Sequence, residues 1–243
     1  MWGDIAIAFT IAFVTAFMLT PHTIRLAKKL GAVDTPKDQR RINKITMPRL
    51  GGLAIFISFL IGYMLFAPLT TQMISILIGG FLIIILGIID DIKPLKASTK
   101  LWGQLATACV LVFFGDIYLT DLTLFGMEIS FGSWTYPLSV FVIVASINAI
   151  NLIDGLDGLA AGTSSIYFAT IIIISILLGR IDSLGFILCL IMLGSTLGFL
   201  YYNFNPASIF MGDTGSMFLG FMIAVVALLG FKTATLTSFL IPI

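Results

Sequence analysis

Long apolar runs, separated by short polar segments, repeat along the whole chain. Most approach the roughly 20 apolar residues that a helix needs to cross a bilayer. The pattern predicts an all-α, polytopic bundle of transmembrane helices, in a single domain over residues 1–243. We expect spans near residues 3–24, 52–69, 73–89, 101–118, 136–153, 159–178, 184–202 and 216–231, with a ninth beginning near 234.

One segment departs from this pattern. Residues 117–135 are rich in β-branched and aromatic side chains and contain a turn-forming glycine, Gly126. Such a run predicts a short β-hairpin between two spans, on the outer side of the membrane.

The composition excludes an ordinary soluble protein. Apolar residues make up 59% of the chain, mean hydropathy is +1.11, and only 10% of residues are charged, against about 25% in soluble domains. We expect membrane lipid around the chain and no nucleic-acid partner. Cys109 and Cys189 lie inside apolar runs, where we expect them only to pack.

The charges are distributed unevenly between the two sets of loops. Eleven of the 13 lysines and arginines fall in the loops 25–51 and 90–100, which lie on one side if the spans alternate. Because cytoplasmic loops carry an excess of cations, we expect this side in the cytoplasm and the N-terminus outside. Asp90, Asp91, Asp154, Asp157 and Asp213 then all fall on this same, cytoplasmic, side.

The motif at residues 148–158 joins two spans and contains Asp154 and Asp157. A charge at membrane depth costs roughly 2.5–3.5 kcal/mol on insertion scales, so such residues are functional candidates. Gly155 and Gly158 keep the backbone compact beside them. A capped turn is the alternative interpretation, but three other loops on the same side repeat the pattern.

The adjacent pair Asp90 and Asp91 ends the third run and precedes three lysines, of which Lys100 is the last. Carboxylates that bind a metal or accept a proton, beside cations that bind an anion, suit phosphoryl transfer. Solvated charges at a helix end are the alternative.

Residues 203–216 place Asp213 between two glycines, Gly212 and Gly215. Backbone amides there can reach phosphate oxygens. Mg²⁺ binds one or two carboxylates together with substrate phosphates, and Asp213 suits that role. Phe210 either stacks on a base or lies at the membrane interface.

The segment 44–52 re-enters the membrane with Lys44 and Arg49 beside Pro48. These cations either bind a phosphate or serve topology and lipid headgroups. A transporter is the alternative for the whole chain, but transporters bind near the bilayer midplane rather than at one face.

The four loops together resemble the polyprenyl-phosphate N-acetylhexosamine-1-phosphate transferases. The resemblance covers nearly the whole chain and is closer to the teichoic-acid-linkage and O-antigen branch than to the peptidoglycan translocase. It is carried by Asp34-Thr35-Pro36 with Arg40, the run 47–52, Asp90-Asp91 with Gln104, the run 148–158 and the run 203–216.

The resemblance implies transfer of N-acetylglucosamine 1-phosphate from UDP-N-acetylglucosamine to undecaprenyl phosphate, with Mg²⁺ bound and UMP released. It implies a metal at Asp213 and a catalytic role for Asp90 or Asp91. It implies substrate binding by Lys44, Arg49, Lys100, Asn151, Asp154, Asp157, Asn203 and Phe210. UDP-N-acetylmuramoyl-pentapeptide is the rival donor, and self-association into a homo-oligomer is left open.

The chain departs from the family pattern in two places. Asn43 stands where the family often has a histidine, and a later cytoplasmic loop with clustered histidines is not present before Ile243. The last apolar segment, 234–243, is about 15 Å of helix, half of a hydrocarbon core. We therefore expect the 243 residues to be part of a longer enzyme with 10 or 11 spans.

Overall fold

A computed structural model describes residues 2–35, 46–119, 121–124, 127–181 and 183–231. The helices are α1 Trp2–Leu30, α2 Gly51–Phe66, α3 Thr71–Ile92, α4 Ala97–Cys109, α5 Thr135–Ile153, α6 Leu159–Leu177, α7 Leu184–Asn203 and α8 Gly212–Phe231. A π-helical turn, Val110–Phe114, extends α4.

The predicted all-α membrane fold is confirmed. Every predicted span from the first to the eighth corresponds to a helix, and seven of the described helices are long and apolar enough to cross a membrane. The remaining one, α2, has only 16 residues. The predicted ninth span lies outside the described residues.

Two short antiparallel strand pairs interrupt the helical pattern. The predicted hairpin is present as β3 Asp121–Leu124 paired with β4 Met127–Ser130, although its predicted turn residue Gly126 lies outside the described residues. The second pair joins β1 Val33–Asp34 to β2 Met47–Pro48 and was not predicted. It brings together the two ends of residues 34–49, which we call the basic loop.

Helix α8 forms the centre of the bundle, since each of its residues from 212 to 230 is buried or partly buried. Phe218 packs edge-on against Phe56 and Phe59 of α2, with ring centroids 5.2 and 5.3 Å apart. Small residues allow the helices to approach closely. At Gly194 of α7, for example, a Cβ would lie only 2.5 Å from the Phe9 carbonyl oxygen of α1.

The antiparallel order of the helices determines where the polar loops meet. Helices α3, α5 and α7 end at the same end of the bundle at which α4, α6 and α8 begin. The start of α2 lies there too, because the Gly52 N–H donates to the Met211 carbonyl at 2.9 Å, just before α8. Four loops that are distant in sequence therefore share one small volume.

Candidate active site

A pocket of about 300 Å³ lies at this end of the bundle, between the loops that precede α2, α6 and α8. It is lined by Asp34, Arg49, Asn151, Asp154, Gly155, Leu156, Asp157, Asn203, Phe210, Gly212 and Asp213. Seven of the eleven predicted site residues are among these. Of the other four, Asp91 and Lys100 contact Asp213, Asp90 contacts Lys100, and Lys44 lies outside the described residues.

The Asp213 carboxylate is held by two different helices. Its Oδ1 accepts a hydrogen bond from Asn151 Nδ2 of α5 at 3.1 Å, and its Oδ2 lies 2.5 Å from Lys100 Nζ of α4. The same Lys100 nitrogen lies 2.7 Å from Asp90 Oδ2 of α3. We call these four residues the Asp213 cluster. One ammonium group thus bridges two carboxylates and reduces their mutual repulsion.

Asp91 contacts α8 in a different way. Its buried carboxylate accepts the Asp213 N–H at 2.9 Å, the Thr214 N–H at 3.0 Å and the Thr214 hydroxyl at 2.6 Å. The first N–H groups of a helix have no partner within the helix, and its N-terminus favours negative charge. Asp91 therefore caps α8, although it belongs to α3.

Gly212 allows that close approach. Its φ is +73°, a conformation that side chains rarely adopt, and a Cβ there would lie 2.5 Å from an Asp91 carboxylate oxygen. The adjacent acids of the predicted Asp-Asp pair thus have separate contacts. Asp91 binds the backbone of α8, whereas Asp90 pairs with Lys100 and accepts the Leu95 N–H at 2.7 Å.

Arg49 reaches the same carboxylates from the basic loop. Its Nη2 lies 3.7 Å from Asp91 Oδ1 and 3.9 Å from Asp213 Oδ1. The backbone fixes this position, because the Phe210 N–H donates to the Pro48 carbonyl at 2.9 Å. Arg49 and Phe210 are therefore brought to the pocket together.

Asp157 and Asn203 join the two remaining loops. Asp157 Oδ2 accepts the Ala207 N–H at 3.0 Å. The buried Asn203 accepts the Gly158 N–H at 3.2 Å and donates to the Ile209 carbonyl at 2.9 Å. Both side chains line the pocket, and both also hold its walls in place.

Asp154 is a half-buried carboxyl group at the end of α5. Its pKa is raised from 3.8 to about 8, chiefly by burial and in smaller part by the negative charges of Asp213 and Asp91, with Arg49 opposing them. Burial and the neighbouring negative charges thus favour the neutral form of Asp154 at neutral pH. A bound cation would favour the ionised form.

Two residues near the cluster received no role from the sequence. Asp34 lines the pocket, where the pairing of Asp34 with Met47 places it, and Thr214 completes the cap. Asp34 stands in the Asp-Thr-Pro motif, which was the available signal. The sequence gave no comparable signal for Thr214, because a hydroxyl residue beside a glycine is common in any turn.

The donor atoms fit a hard divalent cation with few protein ligands. Among the described residues, no three His, Cys, Asp or Glu side chains are placed to bind one metal ion. Mg²⁺ does not need such a cage, because it binds through one or two carboxylates plus substrate phosphates. Asp90 and Asp213 already converge on one cationic group, the Lys100 ammonium.

Sequence comparisons with known proteins identify the family of the chain. Residues 73–231 match the family described as Glycosyl transferase family 4. The chain belongs to this family. The match begins after Arg49, so the basic loop lies outside the matched residues, although its backbone packs against the residues before α8.

Named relatives cover most of the chain. "Probable undecaprenyl-phosphate N-acetylglucosaminyl 1-phosphate transferase" of Bacillus subtilis (strain 168) is 46% identical over 98% of this chain and 67% of its own length. "Phospho-N-acetylmuramoyl-pentapeptide-transferase" of Wolbachia pipientis wMel is 36% identical, over 91% of this chain and 73% of its own. "Decaprenyl-phosphate N-acetylglucosaminephosphotransferase" of Mycobacterium tuberculosis (strain ATCC 25618 / H37Rv) is 35% identical, over 90% and 58%.

These matches confirm the predicted family and class. The chain is a multi-pass membrane protein and an enzyme of the transferase class. The names differ in sugar and in lipid, so family membership alone does not decide the substrates.

The raised pKa of Asp154 can be tested by thermal unfolding at two pH values. A carboxyl whose pKa is higher in the folded than in the unfolded chain contributes stability that is complete below about pH 4 and is lost as pH rises through about 8. Asp154→Asn is neutral at every pH. We therefore expect its unfolding temperature in detergent to rise above that of the wild type by a few degrees more at pH 9 than at pH 5.

Asp116→Asn is the control for this comparison, because Asp116 is an exposed acid that follows the far end of α4. The change in unfolding temperature between the two pH values is compared for the two variants. An Asp154→Asn difference that does not change with pH would mean that Asp154 is not held in a crowded, poorly hydrated site.

Proposed function

We propose that the chain transfers N-acetylglucosamine 1-phosphate from UDP-N-acetylglucosamine to undecaprenyl phosphate and releases UMP. The product would begin a cell-wall polymer of the teichoic-acid or O-antigen type. The 46% identity to the Bacillus subtilis relative over nearly the whole chain supports this donor and acceptor. The observation that carries the chemistry is the bridge of Lys100 between Asp90 and Asp213 beside the pocket.

The donor pyrophosphate fits the part of the pocket where Asp213, Asn151 and Arg49 meet. A guanidinium matches two phosphate oxygens at once, and an amide can donate to a third. Phe210 and the exposed Leu156 offer apolar surface to the flat face of the nucleotide base. Asp154 and Asp157 offer acceptors for sugar or base N–H and O–H groups.

The lipid acceptor fits beside Asp90 and Lys100. The last turns of α3 expose Ile85, Ile89 and Ile92, and α4 exposes Trp102. Apolar side chains exposed on a membrane-spanning helix contact lipid. A polyprenyl tail lying there would place its phosphate at the cationic end of the same surface, next to Lys100.

The reaction joins the two substrates through one new bond. A phosphate oxygen of the lipid attacks the β-phosphorus of the UDP-sugar, the bond from that phosphorus to the bridging oxygen breaks, and UMP leaves with that oxygen. Asp90 accepts the proton that remains on the lipid phosphate. The Lys100 ammonium, which first pairs with the Asp90 carboxylate, then pairs with the negatively charged phosphate. Asp91 takes no part in this transfer, since its oxygens hold α8.

Mg²⁺ would bind at Asp213 and reduce the charge on the donor phosphates. We further propose that the site faces the cytoplasm and the N-terminus the outside. The proposal rests on the cation excess of the loops on the pocket side.

The function is tested by UMP release from a panel of UDP-sugars in detergent with undecaprenyl phosphate and Mg²⁺. We expect release from UDP-N-acetylglucosamine and little from UDP-N-acetylmuramoyl-pentapeptide. The reverse preference would assign the chain to the peptidoglycan step that the Wolbachia relative is named for. Transport of the intact nucleotide sugar without UMP release would contradict a transferase. The assay is run also on a version extended to the length of the Bacillus subtilis relative.

Asp213→Asn tests the metal role. An amide lacks the charge that binds Mg²⁺, so we expect a loss of at least several hundred-fold in rate, on the order of 4 kcal/mol of barrier. The Mg²⁺ concentration for half-maximal rate should rise as well. Thermal unfolding of the purified variant is the control for folding. A variant that keeps its rate at saturating Mg²⁺ would show that Asp213 is structural.

Asp90→Asn tests the proton acceptor. The second pKa of a phosphate monoester is about 6, so the lipid loses its own proton as the pH rises. We expect a loss of about 10²–10⁴-fold near pH 6 that becomes smaller by pH 8.5. A loss that is equal at both pH values would instead indicate that Asp90 only orients Lys100.

A further inference from the structure

A second layer of polar contacts lies one helical turn deeper than the Asp213 cluster. Asn148 Nδ2 of α5 donates to Gln104 Oε1 of α4 at 2.7 Å, and Gln104 Nε2 lies 3.4 Å from Asn148 Oδ1. The second N–H of Asn148 is directed at the Val144 carbonyl at 2.8 Å, and Gln104 Nε2 also lies 3.7 Å from Met217 Sδ of α8. The two amides thus form a reciprocal pair that uses most of its donors.

The spacing on each helix relates the two layers. Gln104 follows Lys100 by four residues, Met217 follows Asp213 by four, and Asn148 precedes Asn151 by three. Residues three or four apart lie on one face of a helix, one turn above each other. The same three helices therefore meet twice, once through charged groups at the pocket and once through neutral amides below it.

Asp213 receives its two shortest side-chain contacts from the two helices that this pair joins. Lys100 of α4 contacts Oδ2, and Asn151 of α5 contacts Oδ1. If α4 slid along α5, one of these contacts would be lost. Apolar side chains would pack in several registers, whereas an amide pair has its full set of hydrogen bonds in one register only.

We propose that Gln104 and Asn148 are a positioning pair that fixes the register of α4 against α5, so that Lys100 and Asn151 reach opposite oxygens of Asp213. Gln104 is 2% exposed and does not line the pocket, so it acts through the other residues rather than on a substrate. The activity readout below rests on the proposed function, and the labelling readout does not.

The first experiment measures how fast the Lys100 ammonium group reacts with an acylating reagent. An ammonium held between two carboxylates reacts slowly with an amine-acylating reagent, while Lys93 and Lys96 are exposed and serve as internal standards. The test variant is the double substitution Gln104→Met with Asn148→Leu, which keeps size but removes the amides. We expect its Lys100 to be acetylated severalfold faster, relative to Lys96, than that of the wild type.

The exchanged pair, Gln104→Asn with Asn148→Gln, is the rescue variant, and we expect it to restore much of the protection of Lys100. Protection that is unchanged in the apolar double variant would overturn the proposal. Should the double variant not fold, Asn148→Ala removes one partner at an exposed position and makes the same prediction.

The second experiment measures the consequence for function. Residues that orient metal-binding groups typically change affinity or activity by 10- to 100-fold. We expect the apolar double variant to need about 10-fold more Mg²⁺ for half-maximal UMP release, at an unfolding temperature equal to or above that of the wild type. A merely structural pair would instead lower stability and leave the Mg²⁺ requirement unchanged.

Ser146→Ala is the matched control. Ser146 donates to the Gly220 carbonyl at 2.8 Å and so joins α5 to α8 close to Asn148, but outside both layers. We expect it to keep the wild-type protection of Lys100 and the wild-type Mg²⁺ requirement. If no UDP-sugar gives UMP with the wild type, the proposed function fails, and the labelling of Lys100 still decides the role of the amide pair.

Discussion

The structure depends on the contact between the Asp91 carboxylate and the first N–H groups of α8. Helix α8 is the most buried element of the bundle, and its N-terminus would otherwise have unpaired donors at the edge of an apolar interior. The carboxylate of a neighbouring helix satisfies them and at the same time fixes the depth of α8. Because Asp213 is the second residue of that helix, the cap also fixes the residue around which the pocket is built.

The same contact explains why two adjacent acids are needed. Successive residues of a helix point about 100° apart, so Asp90 and Asp91 face in different directions. One is directed at the backbone of α8 and the other at Lys100. The two acids are thus balanced through different contacts, which lowers the cost of placing several carboxylates near a membrane. Asp154 is the exception: burial is the main cause of its raised pKa, and the negative charges of Asp213 and Asp91 add to it.

Glycines determine the geometry of the site as much as the charged residues do, because they allow the helices to approach closely. Gly52 lies against Gly215, and Gly87 lies against Thr214, so that α2 and α3 both touch the backbone of the first turn of α8. A side chain at any of these positions would separate the helices and pull Arg49 or Asp91 away from Asp213. In the sequence these positions are only a Gly-Gly pair and a single glycine in an apolar run. Many membrane helices contain such glycines, so the sequence does not reveal their role.

The sequence alone determined the membrane-spanning helical fold, the hairpin and the family, because apolar run length, loop charge and motif order are local properties of the chain. It also determined that the acids of several loops belong to one side, since antiparallel helices leave no other arrangement. It did not separate the roles of Asp90 and Asp91, bring Asp34 to the pocket, or relate Gln104 and Asn148 to Asp213. Those depend on the rotation and depth of each helix, which are set by packing between residues far apart in sequence. Only the tertiary structure decides them.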